Sequence, residues 1–306
     1  MRLRKQTLTR TRMKRFVPLY VMLAFPMAYF AIFKYAPMYG ISAAFKDYNI
    51  FLGLSGSPWV GWKHFRELFT TSGFFQALVN TIILNLGELF FTFPVPIILA
   101  IFLNEMKSER FGNSVERIMY MPHFLSVVII AGIVYQVFSP SGIINHVITS
   151  LFHCDPVPFL TEPGMWRVTY WLSAIWSGAG YGMIIYLAAI GGINKELYEA
   201  AYIDGAGRFS RIWHVTLPQI RPTIVTMVIM NMGKILSISF ERPYLLGNVL
   251  VENASSVISV YTYRMGLQAG MYDFATAIGL FQSVVGLVMV LAVNQLAKKL
   301  GEEGLF

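Results

Sequence analysis

The chain of 306 residues is 56% hydrophobic and only 13% charged, which excludes an ordinary soluble domain because such chains carry about a quarter charged residues. Its net charge of +8 does not indicate a nucleic-acid partner, since seven of the 24 Lys and Arg residues lie within residues 1–15, directly before an apolar run. That arrangement is typical of a segment held at the inner leaflet of a lipid bilayer. The single cysteine, Cys154, excludes an intrachain disulfide, and no Cys/His cluster has the spacing of a metal site.

Apolar segments recur along the chain, and a spanning helix needs about 20 mostly apolar residues. We predict an all-α, polytopic membrane protein with six transmembrane helices, at residues 16–34, 79–103, 118–138, 168–190, 223–240 and 274–297. The first of these segments also has the length of a signal peptide. It lacks a small-x-small cleavage site and continues into Lys34, Tyr35 and Pro37, so we expect it to be retained as a span.

Positive charge alternates between the two sides of the predicted spans. One side holds 16 of the 24 Lys and Arg residues, and outside the N-terminus these are Lys107, Arg110, Arg117, Lys195, Arg208, Arg211, Arg221, Lys298 and Lys299. The positive-inside rule places this side, with both termini, in the cytoplasm. The sequence therefore predicts a basic cytoplasmic N-terminus at residues 1–15, one membrane domain at 16–297 and a cytoplasmic tail at 298–306.

Three longer segments face the opposite side in this arrangement, at residues 35–78, 139–167 and 241–273. The third contains short apolar stretches such as Val257 to Tyr261, which are too short to cross a bilayer. We expect these stretches to pack against the spans as re-entrant or surface helices.

The predicted cytoplasmic loop at residues 192–222 has the pattern of a docking element. Residues 197–204 are expected to form a short helix ending at Gly205, because glycine readily adopts the positive φ of a helix end. A second short helix is expected from about Ala206 to Thr216, after which Pro218 and Pro222 set the start of the fifth span. Small and charged residues alternate along the first helix and the turn, namely Glu199, Ala200, Ala201, Asp204, Ala206, Arg208 and Arg211. This composition suits close contact with a partner rather than catalysis.

The run EAAYIDGAGRFSRIWHVTLP in this loop resembles the EAA motif of the permeases of binding-protein-dependent ABC importers. The resemblance extends from the second span onward. It implies that the loop is a coupling helix seated in a groove of a cytoplasmic ATPase. The residues that would form this contact are Glu199, Ala200, Ala201, Asp204, Gly205, Ala206, Arg208, Leu217 and Pro218. The alternative is an ordinary basic cytoplasmic loop.

The same resemblance implies how work is divided among subunits in a bacterial plasma membrane. The chain would pair with a second homologous permease and with two ATPase subunits, and an extracellular solute-binding protein would deliver the solute. The chain has no Walker A sequence, so ATP and Mg²⁺ are expected on the ATPase subunits and no cofactor in this chain. It would be a pore subunit and not an enzyme, and import would proceed by alternating access.

Segments such as MPHFLSVVIIAGIVYQVF are similar to the maltose-type carbohydrate branch, and FERPYLLGN is similar to its oligosaccharide and polysaccharide permeases. The resemblance implies that sugar contacts come from the third, fourth and fifth spans. Carried over by position, the contacts fall on His123, Val127, Ala174, Ser177, Gly178, Tyr181 and Asn231. Val127 and Ala174 replace polar residues of the maltose type, which implies a different ligand.

Glu88 and Lys234 are ionisable residues inside predicted spans, where such residues usually face a cavity or a partner charge. Asn231, Lys234 and Ile238 are spaced at i, i+3 and i+7, so they are predicted to share one helical face on the solute path. The alternatives for Lys234 are pairing with Glu88, pairing across a subunit interface, or snorkelling. An acidic sugar is one ligand that Lys234 would meet if it lines the path.

Two aromatic side chains are further candidates for solute contact. Tyr181 offers a ring face on which a sugar can stack, although helix packing is an alternative use of the same ring. His123 follows Pro122 and is either a solute contact or a hydrogen-bonded structural histidine.

Two rival functions remain open from the sequence. One is import of a different solute, such as a peptide or an inorganic anion. The other is a membrane-embedded transferase, which would need acids and bases clustered at one membrane face. The nearest such group is His153, Asp155 and Glu162.

Overall fold

The computed structural model describes residues 10–106, 108–299 and 301, and it consists of helices joined by turns and loops. Within that part the α-helices are Arg10–Phe30, Gly53–Gly56, Lys63–Thr70, Ser72–Gly87, Pro94–Asn104, Glu109–Tyr120, Val127–Phe138, Ile143–Phe152, Pro163–Gly191, Lys195–Ile203, Arg208–Arg211, Leu217–Met232, Glu241–Leu246, Glu252–Ser255, Ile258–Tyr263 and Tyr272–Lys299. An isolated β-bridge joins Lys46 and Trp59. The all-α prediction is confirmed. Most of the predicted basic N-terminus, Lys107, and most of the predicted tail lie outside the described residues.

Five helical segments of the described chain are long and apolar enough to cross a membrane: Phe16–Phe45, Ser72–Asn104, Val127–Phe152, Pro163–Gly191 and Tyr272–Lys299. We name them span 1, span 2, span 3, span 4 and span 6, and keep the name helix 5 for Leu217–Met232. Span 1 continues eleven residues past its predicted end, as π and 3-10 turns at Ala31–Tyr35 and Ala36–Phe45. Five segments of the described chain thus meet this length, against six predicted spans, because the fifth predicted segment is broken; the third is present with different bounds.

The predicted span at 118–138 is wrong in its bounds. The helix Glu109–Tyr120 gives way to a 3-10 turn at Met121–Phe124, and a new helix starts at Val127. Pro122 has no N–H to donate within the turn, and Ser126 caps the new helix by accepting a hydrogen bond from the N–H of Ile129 at 3.4 Å. Span 3 therefore begins nine residues later than predicted and continues to Phe152 through an interruption near Ser139.

The predicted span at 223–240 is also wrong, because helix 5 ends at Met232 and the chain then turns. A Cβ atom on Gly233 would lie 2.4 Å from Val290 of span 6, and one on Gly286 would lie 2.6 Å from the Gly233 carbonyl oxygen. These contacts mark a close backbone crossing. The carbonyls freed by the break accept side-chain hydrogen bonds, including one from Asn85 Nδ2 to the Ile235 oxygen at 2.7 Å. Such compensation is what a broken helix needs within a membrane protein.

Wide π-turns precede several helical prolines of the chain. The turns at Ala31–Tyr35, Glu88–Thr92 and Ile212–Thr216 stand two residues before Pro37, Pro94 and Pro218. A proline ring in a regular α-helix clashes with the carbonyl four residues earlier. A turn with an i to i+5 hydrogen bond relaxes that crowding and lets the helix continue. One of these turns places Glu88 at the centre of span 2.

The core lies among spans 2, 3, 4 and 6 and the short helices after residue 240. Val257 and Ile258 are fully buried, and the Ile258 N–H donates to Thr81 Oγ1 of span 2 at 2.8 Å. The prediction that the 241–273 segment packs against the spans as short helices is confirmed. Span 1 behaves differently, since residues 16–39 are exposed and only its end, with Ala43 and Ala44, is buried in the described chain.

Candidate functional site

A cavity of about 320 Å³ lies between the middle of span 2, the middle of span 4, and the end of helix 5. Its walls combine aromatic, amide, hydroxyl and charged groups beside aliphatic ones. The polar and aromatic lining residues are Asn85, Glu88, Thr92, Phe93, Tyr186, Asn231, Lys234 and Ser237. The volume falls in the range of small-molecule sites, about 300–1,000 Å³.

Two glycines of span 4 determine how closely span 4 approaches the cavity and span 2. Gly178 lines the cavity with no atom within 4 Å of an added Cβ, while a Cβ on Gly182 would lie 3.0 Å from Pro96 of span 2. Span 4 therefore approaches span 2 at Gly182 and stays apart from it at Gly178. The structure thus places Gly178, a predicted solute contact, on the cavity wall.

Asn231 and Lys234 both line the cavity, as the sequence predicted, but the predicted reason is wrong. Helix 5 has ended before Lys234, so Asn231, Lys234 and Ile238 do not form one helical stripe. Ile238 is instead buried in the core. Asn231 donates from Nδ2 to the Met227 carbonyl at 2.8 Å, which leaves its amide oxygen toward other partners.

The cavity acid, Glu88, is held by a network that joins three elements. Tyr170 of span 4 donates its hydroxyl to Glu88 Oε1 at 2.9 Å, and Arg242 Nη1 lies 3.9 Å from the same oxygen. Arg242 also donates from Nη2 to Ser177 Oγ at 3.0 Å, and its guanidinium carbon lies 5.6 Å from the Tyr170 ring centre. The open alternative of a Glu88–Lys234 pair is not what the structure has, because Glu88 pairs with Arg242.

The helix that carries Arg242 is itself fixed to the spans. At its other end, the Leu246 carbonyl accepts hydrogen bonds from Trp166 Nε1 at 2.8 Å and from the Tyr135 hydroxyl at 3.3 Å. Arg242 was assigned from sequence only to a loop, and its role there was missed. The signal that pointed to it was the isolated Glu88 in an apolar segment, which needs a counter-charge.

Ser177 takes part in this network and not in the cavity lining. It is buried, it accepts from Arg242, and it donates to the Ser173 carbonyl at 2.8 Å. Its predicted direct contact with solute has no support in this geometry, because Ser177 is buried and is not among the residues that line the cavity. Its position still orients Arg242 behind the cavity wall.

His123 and Tyr181 form a separate aromatic surface beside the cavity. Their rings stack with centroids 4.1 Å apart and planes 9° apart, and both side chains are exposed. Tyr120 and Phe124 extend the cluster, with their ring centroids 5.0 Å apart. The structure therefore brings two of the predicted solute-contact residues together, although neither is among the residues that line the cavity.

The loop at residues 192–222 begins with the predicted short helix, observed at Lys195–Ile203. Asn194 caps it by accepting from the Glu196 N–H at 3.1 Å. At its end, the Ala206 N–H donates to the Ala201 carbonyl at 2.9 Å, and Gly205 has a φ of 75°. This is a left-handed helix end that glycine adopts without steric cost. The predicted stop at Gly205 is therefore present.

The second helix of the loop differs from its prediction. It starts at Arg208 and does not end at Thr216, since it passes through a π-turn directly into helix 5. Leu217 and Pro218 are thus the first residues of helix 5, and Pro222 lies inside it rather than before it. The loop is consequently continuous with the helix that ends at the cavity.

Side-chain contacts hold the loop to the rest of the chain. The Tyr198 hydroxyl and Thr216 Oγ1 lie 2.9 Å apart and join its two helices. Arg208 Nε lies 4.0 Å from Glu105 Oε2, just past the end of span 2. The loop is therefore linked to two of the helices that border the cavity, span 2 and helix 5.

Large apolar side chains of this loop are unusually exposed. The exposed fractions are 73% for Tyr202, 83% for Ile203, 87% for Phe209 and 69% for Trp213. Glu199, Ala200, Asp204 and Gly205 are exposed beside them, and Ala201 and Ala206 are half-buried. Clustered exposed apolar groups with a charged surround are typical of a protein interaction surface. Of the aromatic members of this surface, Phe209 and Trp213 were not singled out from sequence.

One member of the group considered for a transferase, Glu162, has a structural role. Glu162 caps span 4, accepting from the N–H groups of Gly164 at 3.0 Å and Met165 at 2.7 Å. These hydrogen bonds, the one from Gly164 first, lower the pKa of the Glu162 carboxyl below its ordinary value. Among the described residues, no three His, Cys, Asp or Glu side chains group closely enough to hold a metal ion.

Residues 73–302 match the family model described as "Binding-protein-dependent transport system inner membrane component". The chain belongs to this family. The permease is 41% identical to Protein LplB of Bacillus subtilis (strain 168) over 295 residues, which is 96% of this chain and 92% of that protein. It is 44% identical to the polygalacturonan/rhamnogalacturonan transport system permease protein YteP of the same organism over 289 residues, 94% of this chain and 90% of that protein.

A solved structure is similar over almost the whole permease. It is the crystal structure of a bacterial alginate ABC transporter in complex with alginate pentasaccharide-bound periplasmic protein. The TM-score is 0.88 at 41% sequence identity, covering 98% of this chain and 100% of that chain. The predicted family and architecture are confirmed: the permease is a multi-pass inner-membrane subunit of a binding-protein-dependent ABC importer, and such subunits form pores rather than catalyse reactions.

Proposed function

We propose that this permease imports a carbohydrate, most simply an oligosaccharide, and that its central cavity holds the solute midway through the membrane. The observation that carries the proposal is the cavity itself, at the centres of spans 2 and 4. Hydroxyl and amide groups of Thr92, Ser237 and Asn231 face it beside the rings of Phe93 and Tyr186. Sugars present hydroxyl groups and C–H-rich faces, which such walls match.

The relatives support this choice of solute class. YteP is named for transport of polygalacturonan and rhamnogalacturonan, and the similar solved structure is that of an alginate transporter. All three named substrates are carbohydrates. We infer that this permease receives its sugar from an extracellular solute-binding protein.

We propose that the loop at residues 192–222 is the surface on which an ATPase subunit docks. Its exposed surface of Tyr202, Ile203, Phe209 and Trp213 would otherwise stay in water. The assembly would contain two ATPase subunits, which hold ATP and Mg²⁺, and a second homologous permease. In this arrangement the loop, both termini and the basic segments at 1–15 and 298–306 face the cytoplasm.

The connectivity of the loop supports a mechanism of alternating access. Movement of the Lys195–Ile203 helix by the ATPases would pass through the Tyr198–Thr216 contact into helix 5, whose far end borders the cavity. Closure of the ATPases on ATP would open the cavity outward, and reset after hydrolysis would open it inward.

The test is ATPase activity of the full importer reconstituted in proteoliposomes with its binding protein and a panel of oligosaccharides. Gly205→Asp is compared with Gly53→Asp, because Gly53 has a similar φ of 65° at the start of the short helix Gly53–Gly56, outside the loop. A left-handed conformation at a non-glycine residue costs about 1–2 kcal/mol at either position. We expect a sugar-loaded binding protein to stimulate hydrolysis in the wild type and in Gly53→Asp, and not in Gly205→Asp.

Each contrary outcome has a distinct meaning. If peptides or inorganic anions stimulate hydrolysis and no sugar does, the solute class is wrong and the permease serves another solute. If Gly205→Asp assembles and couples as well as Gly53→Asp does, the loop is not the coupling element.

A further inference from the structure

The acidic and basic side chains that line the central cavity are Glu88 and Lys234. They differ in how their charges are compensated. Glu88 has the Tyr170 hydroxyl at 2.9 Å and the Arg242 guanidinium at 3.9 Å. Its negative charge is therefore balanced from behind the wall by groups of this chain.

Lys234 has no such compensation. It lies in the turn after helix 5, its side chain is exposed, and its ammonium group makes no hydrogen bond or ion pair within residues 10–106 and 108–299. The turn itself is ordered, since the Lys234 N–H donates to the Asn231 carbonyl at 2.9 Å and the Ser237 N–H donates to the Lys234 carbonyl at 2.7 Å. Ionisable side chains at membrane depth are costly, usually face a water-filled cavity or a partner charge, and mark substrate paths.

The cavity also offers neutral donors near this charge. Thr92 Oγ1 is buried and without a hydrogen-bond partner in the described chain, and Ser237 stands three residues beyond Lys234 on the same wall. With Glu88 neutralised by Arg242, the net effect is one available positive charge among hydroxyl groups. A carboxylate attached to a sugar ring meets both kinds of group at once.

We propose that the cavity selects a saccharide unit bearing a carboxylate, a uronate, and that the Lys234 ammonium is the group that binds this carboxylate. The proposal rests on the proposed function and names the class of sugar within it. Lysine is suited to a moving ligand, because its charge sits on a flexible stem and does not demand the two-pronged geometry of arginine. Because Glu88 pairs with Arg242 and accepts from the Tyr170 hydroxyl, its negative charge is partly compensated and repels the carboxylate of the ligand less.

The test measures equilibrium binding to the complete importer in nanodiscs without its binding protein, so that the binding protein's own selectivity does not enter. The probes are a linear pentauronide and the neutral pentasaccharide made by reducing its carboxyl groups. We expect Lys234→Met to weaken binding of the pentauronide about tenfold or more and binding of the neutral probe less than about twofold. Lys234→Arg should keep most of the preference, and Lys63→Met, an exposed lysine outside the cavity, should leave both affinities unchanged.

The outcomes separate this inference from the proposed function. If Lys234→Met weakens both probes equally, or if the wild type shows no preference for the pentauronide, the role of Lys234 is overturned while a sugar importer stands. Equal loss with impaired assembly would mean that Lys234 pairs with an acidic side chain of the second permease. If neither saccharide binds or is imported, the proposed function itself fails.

Discussion

The imidazole ring of His123 lies flat against the phenol ring of Tyr181, with centroids 4.1 Å apart and planes 9° apart. The two residues meet because the chain breaks its helix at Pro122 and because span 4 has glycine at position 180. A Cβ atom on Gly180 would lie 2.0 Å from the Met119 carbonyl oxygen. The close backbone approach thus sets the ring contact, and both exposed rings form one continuous face.

Removing the Tyr181 ring is expected to reduce transport without preventing assembly. Tyr181 is 49% exposed, so its truncation leaves no large cavity in the core. We expect Tyr181→Ala to lower the initial rate of sugar uptake in proteoliposomes about tenfold, and Tyr181→Phe to retain most of it, because stacking needs the ring and not the hydroxyl. Uptake that is unchanged in Tyr181→Ala would assign the stack to packing between helices.

Gly180→Ala is expected to destabilise the permease, since the added methyl group meets backbone atoms of Met119 and Tyr120 that cannot move aside. Overpacking of this kind costs about 1–3 kcal/mol or more. Gly132→Ala in span 3 is the matched control, because no atom lies within 4 Å of its added Cβ. Thermal unfolding in detergent should show a lower midpoint for Gly180→Ala alone. Equal midpoints for the two variants would show that the 119–120 backbone adapts.

The sequence predicted the elements whose signal is local. Apolar length and charge alternation identified the spans, and the EAA run identified a helix that ends at Gly205, where φ is 75°. Both signals depend on residues that are close together in the sequence, so they can be recognised without knowledge of the tertiary fold.

The breaks at Pro122 and Gly233 could not be predicted in the same way. Hydropathy remains high through both segments, and the cause of the second break is a crossing of Gly233 with Gly286, which are far apart in sequence. Arg242 was missed for a similar reason. Its pairing with Glu88 depends on a short helix that returns toward the centre of span 4, and only the tertiary structure shows this return.

The Glu162 cap of span 4 should make stability depend on pH. Its pKa is lowered from the ordinary value of 4.5, so its contribution is present above pH 4.5 and is lost as pH falls through the lowered pKa. We expect Glu162→Gln to lower the thermal midpoint by about 1–2 °C at pH 7 and by progressively less as the pH falls below 4.5 and through the lowered pKa of Glu162. The comparison uses wild type and variant at each pH, which removes the effects of other groups. A difference that persists at low pH would mean that the carboxylate charge contributes nothing to the cap.

The Arg242–Glu88 pair allows a test of whether charge balance or hydrogen bonding holds the cavity wall. Arg242→Gln leaves the Glu88 carboxylate uncompensated, which should cost about 1–3 kcal/mol for a pair that is only partly buried. Glu88→Gln can still accept the Tyr170 hydroxyl, so adding it to Arg242→Gln should restore part of the lost thermal stability. A double-mutant cycle on unfolding midpoints measures this coupling. Additive losses would show that Arg242 acts through Ser177 and Tyr170 alone. A rescue by the second substitution would show that the uncompensated charge of Glu88 causes the loss of stability.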